Sequence, residues 1–322
     1  MRARIAIVGG GGGVGSSLAF NLLLQPDAYD IGLVDGHSGV ARSHEMDLQQ
    51  VIAAGASGSV AVVTADAIAD ADVVVVTAAA PLTDNRSRMV YLHDNVQILD
   101  TVTAALKPAA TVVVVTNPVD PLCTWLQRER GLDRRRVLGY TINDSLRLRT
   151  AIGDVLGVDA QRVDAWVIGE HGDGCVPLLD RVRVDGDPVT LSAEQREAAT
   201  EFVRTWYIRH VALDSSRSST WTSGHMLARM VAALTHPATD EPWAASVVLA
   251  GEYGIDGIAL TVPVTFGDGG VAAIHEWPLS EAESAALRAS AKVVREALAG
   301  FAPRANSRKG SRPPGPAFPD VA

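Results

Sequence analysis

Ala3-Arg4-Ile5-Ala6-Ile7-Val8-Gly9-Gly10-Gly11-Gly12-Gly13-Val14-Gly15 carries an apolar, β-branched run straight into glycines and on into a helical pattern from Val14 to Leu24. A strand that ends on glycine and hands over to a helix aims bare N–H groups and the positive end of the helix dipole at one point, a receptacle for a pyrophosphate. Two spacings fit, Gly10-x-Gly12-x-x-Gly15 and Gly9-x-x-Gly12-x-x-Gly15, and the polyglycine leaves both open. About 20 residues further on, at the end of the next apolar run, stands Asp35. A carboxylate there accepts both hydroxyls of an adenosine ribose and repels a 2′-phosphate, which points to NAD rather than NADP. Gly9, Gly10, Gly12, Val14, Gly15 and Asp35 are the expected cofactor contacts, with His37 and Arg42 close by.

Further apolar runs follow at Ile31–Val34, Val60–Val63, Val73–Thr77 and Val112–Val115. They lack polar/apolar alternation, as parallel strands covered on both faces do. Helical patterns at Val40–Ala53, Met89–Leu106 and Pro121–Arg130 separate them. Repeated βαβ units predict a doubly wound parallel sheet, closed by Val137-Leu138. From Tyr140 the order changes to a helix (Asp144–Leu156), short strands, two long helices (Ala193–Ala212 and Arg217–Leu234), strands at Ser246–Ala250, Gly257–Phe266 and Val271–His275, and a last helix, Glu281–Ala299. The expected fold class is α/β: a doubly wound domain over residues 1–139 and an α+β domain over 140–301. Residues 302–322 are polar, basic and proline-rich, and are expected to form a disordered tail.

With 322 residues and 47% hydrophobic content the chain can bury a large core. A net charge of −9 argues against nucleic acid or an anionic membrane as the main partner and favours small molecules. Only Cys123 and Cys175 occur, which predicts no disulfide framework and a reducing compartment. No charged-then-apolar leader precedes Ala3, and Val73–Ala80 and Thr111–Thr116 fall far short of the roughly 20 residues that span a bilayer. A cytoplasmic location is expected.

The run Ala165-Trp166-Val167-Ile168 reads as a buried strand, and Gly169-Glu170-His171-Gly172-Asp173 leaves its end with a histidine between two glycines. A lone histidine in a turn is more often structural. Its companions change that reading. Asn143-Asp144-Ser145-Leu146-Arg147 sets an acid and an arginine at i and i+3 on one helix face, and Thr116-Asn117-Pro118-Val119-Asp120 follows the strand at Val112–Val115.

With these motifs, together with Met46-Asp47-Leu48-Gln49 and Asp72-Val73-Val74-Val75-Val76-Thr77-Ala78, the chain resembles the lactate/malate dehydrogenase family from Ile5 to about Ala299. The resemblance implies a Rossmann domain followed by a catalytic domain, and an NAD-dependent enzyme that interconverts an L-2-hydroxy acid and its 2-oxo acid. It implies His171 as acid/base, Asp144 orienting and stabilising the imidazolium, Arg147 forking onto the substrate carboxylate, and Arg88 polarising the carbonyl from a mobile lid. It further implies Asn117 on the carbonyl oxygen or nicotinamide region, Thr77, Ala78 and Asn95 on the cofactor, no metal, and a homodimer or homotetramer. The physical chemistry agrees, since a guanidinium matches a carboxylate bidentately and a nearby Asp144 favours protonated His171.

The chain also departs from the family. Where malate enzymes usually carry Arg and lactate enzymes Gln, this chain has Leu82, which cannot pair with a second carboxylate. A lactate-like or larger apolar side chain is therefore expected, with Ser219 leaving room for it. The alternative is malate, with Arg86 as partner to the second carboxylate. The lid lacks the usual Pro-Gly, and Asn143 replaces an apolar neighbour of Asp144. Two other classes share the glycine loop: a catalytically silent NAD-binding protein, and an NAD-dependent glycosidase related in fold, which needs a metal-binding Cys/His arrangement and a longer chain.

Overall fold

The computed structural model describes residues 2–80, 88–215, 218–237 and 240–301, with the backbone alone for 88–91. The lid residues Leu82 and Arg86, the Arg88 side chain and the expected tail all lie outside the described residues. Strands and helices alternate in the first half: β1 (Ala3–Val8), α1 (Gly13–Leu23), β2 (Tyr29–Val34), α2 (Ser38–Ala53), β3 (Ser59–Val62), β4 (Val73–Val76), α3 (Arg88–Ala105), β5 (Thr111–Val114), α4 (Val119–Arg130) and β6 (Val137–Tyr140). The strand order is β3-β2-β1-β4-β5-β6, and every pair is parallel. This is the Rossmann order, with its switch point between β1 and β4.

The unbroken apolar runs follow from this topology. Successive side chains of a strand point to opposite faces. Ile5, Ile7, Val73, Val75 and Val113 accordingly enter one core cluster, while Ala6, Val8, Val74, Val76, Val112 and Val114 enter a second on the other face. Neither face meets water, so neither can be polar.

The second half comprises α5 (Asn143–Leu156), β7 (Val163–Asp164), β8 (Val167–Gly169), β9 (Cys175–Pro177), β10 (Arg183–Val184), β11 (Asp187–Pro188), α6 (Ala193–Val211), α7 (Thr220–Thr235), β12 (Trp243–Ala250), β13 (Asp256–Gly267), β14 (Gly270–Ile274) and α8 (Glu281–Ala299). Strand β12 pairs antiparallel with β6, setting Ala245 opposite Tyr140 and Ser246 opposite Gly139. The sheet therefore continues through β12, β13, β8 and β9, while β7, β10 and β11 form a small sheet of their own.

The expected strand Ala165–Ile168 is not one element. The chain leaves the small sheet at Asp164 and joins the large one at Val167. Between them Trp166 Nε1 donates to Asp164 Oδ1 at 2.7 Å, and the Trp166 carbonyl accepts from Leu178 N, so hydrogen bonds pin the corner between the two sheets. Helix α7 starts at Thr220, three residues after the expected Arg217. No helix among the described residues is long and apolar enough to cross a membrane.

Candidate active site

At the end of β1 the chain turns on Gly9 with φ +91°, and the N–H groups of Gly9 and Gly10 both donate to the Val34 carbonyl, at 2.8 and 3.2 Å. A Cβ on Gly9 would press on Ala78 N and lie 2.7 Å from Thr77 Oγ1. One on Gly15 would collide with the Gly9 carbonyl and sit 3.0 Å from Gly10 Cα. Gly9 therefore makes the turn and Gly15 permits the helix to approach the strand. Gly12 caps α1 without a side chain, leaving the first-turn N–H groups to a ligand rather than to a capping oxygen. Val14 lies in that first turn, half-buried.

Asp35 is anchored to this loop. Its Oδ2 accepts from Gly11 N and its Oδ1 from His37 N, each at 2.8 Å. Each oxygen retains a lone pair, so the carboxylate can still receive ribose hydroxyls. Across the switch point Thr77 Oγ1 donates to the Val8 and Gly9 carbonyls, and Ala78 N donates to Val8 O. Asn95 is buried, accepting from Ala80 N and donating to the Asn117 carbonyl, both at 2.7 Å. Its amide is thus engaged by backbone, and it bears on the cofactor site through the chain it ties together. Asn117 itself is exposed where β5 leaves the sheet, before a cis bond to Pro118. A glycine cradle that a Cβ would fill and an anchored acid at the ribose end suit a dinucleotide.

The second cluster centres on His171. Its Nδ1 lies 2.6 Å from Asp144 Oδ2, while Asp144 Oδ1 accepts from Arg147 Nη1 at 2.8 Å. With Nδ1 directed at the carboxylate, Nε2 is the nitrogen left for proton exchange. The His171 backbone N–H donates to Asp120 Oδ2 at 2.7 Å, and Asp120 Oδ1 accepts from Ser246 Oγ at 2.5 Å. Asp144 and Asp120 both lie in first turns, of α5 and α4, where a helix dipole supports a buried anion. Ser246 comes from β12 and Asp120 from α4, so this contact spans the junction between the two halves of the sheet.

Burial on its own would lower the His171 pKa, but the charge and hydrogen bond of Asp144 outweigh it and the net shift is upward. Burial pushes Asp144 up, and His171 and Arg147 more than reverse this, leaving it below its ordinary value. Asp120 is raised to about 7 by burial, against the opposing pull of the Ser246 hydroxyl and the His171 N–H and ring. Burial also pushes the Cys175 thiol up to about 12, so no thiolate stands near His171 at neutral pH.

The turn itself is held from below. Glu170 N donates to Ser290 Oγ of α8 at 2.5 Å, and Glu170 Oε2 accepts from Gly174 N at 2.8 Å. A side chain on Gly172 would strike the Glu170 carboxylate. Asn143, the unexplained departure beside Asp144, is buried in a polar bridge. Its Oδ1 accepts from Tyr140 OH at 2.7 Å and its Nδ2 donates to Ser223 Oγ at 3.0 Å, joining β6, α5 and α7.

The structure brings His171, Asp144 and Arg147 together, as expected. Ser219 stands at the head of α7, whose Thr220 faces Gly13 at the start of α1; among the described residues no hydrogen bond joins it to Arg147 or His171. Sequence reasoning left Asp120, Ser246 and Trp206 without roles. Asp120 carried a signal, an acid at the start of the apolar stretch Val119–Leu126 of its helix, whereas Ser246 and Trp206 reach the site only through tertiary packing. Among the described residues, no group of three His, Cys, Asp or Glu side chains is placed to hold a metal ion.

Fold and loop together define a dinucleotide-binding protein of the Rossmann type. The family model "lactate/malate dehydrogenase, NAD binding domain" matches residues 3–139, and "lactate/malate dehydrogenase, alpha/beta C-terminal domain" matches 141–302. An L-lactate dehydrogenase of Nitratidesulfovibrio vulgaris is 33% identical over 307 residues, covering 92% of this chain and 99% of the relative. A malate dehydrogenase of Halobacterium salinarum is 33% identical over 298 residues, covering 87% and 93%. A Cryptosporidium parvum lactate dehydrogenase, solved with lactic acid and NAD, superposes with a TM-score of 0.85 at 28% identity, covering 94% of this chain and 99% of that one. The chain belongs to the lactate/malate dehydrogenase family.

Proposed function

We propose that the chain interconverts an L-2-hydroxy acid and its 2-oxo acid, with a lactate-like or larger apolar side chain, and that residues 1–139 hold NAD while 140–301 hold the substrate. The observation that carries the reading is Asp144 shared between His171 and Arg147. Arg147 binds the substrate carboxylate, and Asn117 and Arg88 act on the carbonyl. The cofactor, when bound, supplies the hydride that reduces the carbonyl carbon. His171 Nε2 gives its proton to the carbonyl oxygen, forming the hydroxyl and leaving a neutral imidazole, and takes the proton back in the reverse direction. Asp144 keeps the imidazolium oriented throughout, and the raised His171 pKa keeps the acid form available.

The apolar substrate follows from Leu82. NADH oxidation with pyruvate, oxaloacetate, branched and aromatic 2-oxo acids tests it, followed by Leu82→Arg. Preference for the monocarboxylic acids, shifted toward oxaloacetate by Leu82→Arg, is the expected result. Strong native preference for oxaloacetate would overturn it in favour of malate chemistry through Arg86. NADH binding without turnover of any acid would leave a silent binding protein.

We also propose a homodimer or homotetramer. Phe20, Met46 and Trp221 are 41%, 58% and 70% exposed, and Phe20 and Trp221 line one surface pocket, apolar area that a second subunit would cover. A monomeric mass by light scattering at micromolar concentration would exclude it. A cytoplasmic location fits the two free, buried cysteines, and cell fractionation tests it.

A further inference from the structure

Arg147 is constrained by more than its carboxylate partner. Its guanidinium carbon lies 4.0 Å from the ring centroid of Trp206, which comes from α6, the helix packed along α5. Trp206 in turn stacks on His210 one turn later, with centroids 4.9 Å apart and planes 14° from parallel. The Arg147 side chain is only 16% exposed. Nη1 is held by Asp144, and among the described residues no hydrogen bond engages Nε or Nη2.

An ion pair through one nitrogen fixes a point and leaves the plane of the guanidinium free to turn. Turned one way, the same fork would close on Asp144 with both arms and have nothing left to offer. An aromatic face removes that freedom, because the cation is drawn flat against the ring while its edge remains open to an anion.

We propose that Trp206 is a positioning residue for anion binding: it sets the plane of Arg147 so that Nε and Nη2 present a two-pronged edge to the substrate carboxylate. The inference rests on the proposed role of Arg147, but its test has a readout that does not require turnover.

The full-length chain is compared with Trp206→Leu and Trp206→Phe. In Trp206→Leu, KM for the preferred 2-oxo acid should rise about tenfold, the scale of one desolvated cation–ring contact, with kcat changed much less and NADH affinity unaltered. Trp206→Phe keeps a ring face and should restore KM. In the NADH-loaded protein, phenylglyoxal modification of Arg147, followed by peptide mass spectrometry, should be several-fold faster in Trp206→Leu and near the parental rate in Trp206→Phe. If Trp206→Leu melts below the assay temperature, Trp206→Met takes its place. A leucine variant with parental KM and parental modification rate would overturn the proposal, as would a loss confined to kcat. If the parent reduces no 2-oxo acid, the functional reading falls, and the modification rate still decides whether Trp206 holds the guanidinium.

Discussion

His171 is gripped at two atoms by two carboxylates, Asp144 at the ring and Asp120 at the backbone N–H. The first decides the chemistry. His171→Asn should lose about 10²-fold or more of 2-oxo acid reduction, with its pH dependence, in steady-state NADH oxidation. In the parent, reduction should weaken as pH rises through the raised His171 pKa. Asp144→Asn removes the charge and hydrogen bond that raise it, so the same fall should occur at lower pH. Linkage gives the matching sign for stability. A histidine whose pKa is higher folded than unfolded contributes stability that is complete below its unfolded value near 6.5 and is lost as pH rises through the folded value. Because Asp120, at about 7, titrates beside His171, the parental profile should fall in two overlapping steps that Asp120→Asn merges into one at lower pH. A profile identical to the parent's would show that the two groups do not interact. His171, Asp144 and Arg147 were legible in the chain because each lies in a short motif that carries the family resemblance, although the contact between His171 and Asp144 spans 27 positions. Trp206 was not, since nothing in Arg204-Thr205-Trp206-Tyr207 distinguishes a ring over a cation from one on a solvated helix face.

At the scale of the element, the glycine loop and the Asn143 bridge carry opposite lessons. The strand, turn and helix from Ala3 to Leu23 are dictated locally, and both spacings find a structural need, since a Cβ on Gly10 would press on Leu33 just as one on Gly9 would press on Ala78. Gly9 needs its positive φ and Gly15 faces backbone. Gly15→Ala has no flexible neighbour to displace, so it should cost about 1–3 kcal/mol in denaturant unfolding and weaken NADH binding measured by fluorescence titration. Asn143 stood in the sequence only as a replacement for an apolar neighbour of Asp144, because its partners, Tyr140 and Ser223, are three and eighty positions away. Asn143→Leu leaves both hydroxyls buried without their amide, and a loss of about 1–3 kcal/mol is expected. The corner at Trp166 failed to show in the sequence for the same reason: the apolar run is continuous, but only Val167 and Ile168 join the large sheet, while Ala165 and Trp166 link it to the small sheet that ends at Asp164.

For the molecule as a whole, NADH at about a hundred times its Kd should stabilise the fold by about 2.7 kcal/mol, seen as a rise in melting temperature. Gly15→Ala should lose that increment. The architecture was readable because buried parallel strands impose an unmistakable composition. Substrate preference was not, because it rests on a few side chains around a reaction common to the family. The pairing of β6 with β12 gives this division a cause. One continuous ladder of backbone hydrogen bonds ties the glycine loop's sheet to the strand that leads into His171, so the relative placement of Gly9 and His171 is set when the chain folds. A lineage built this way can exchange one acid for another without reinventing its chemistry.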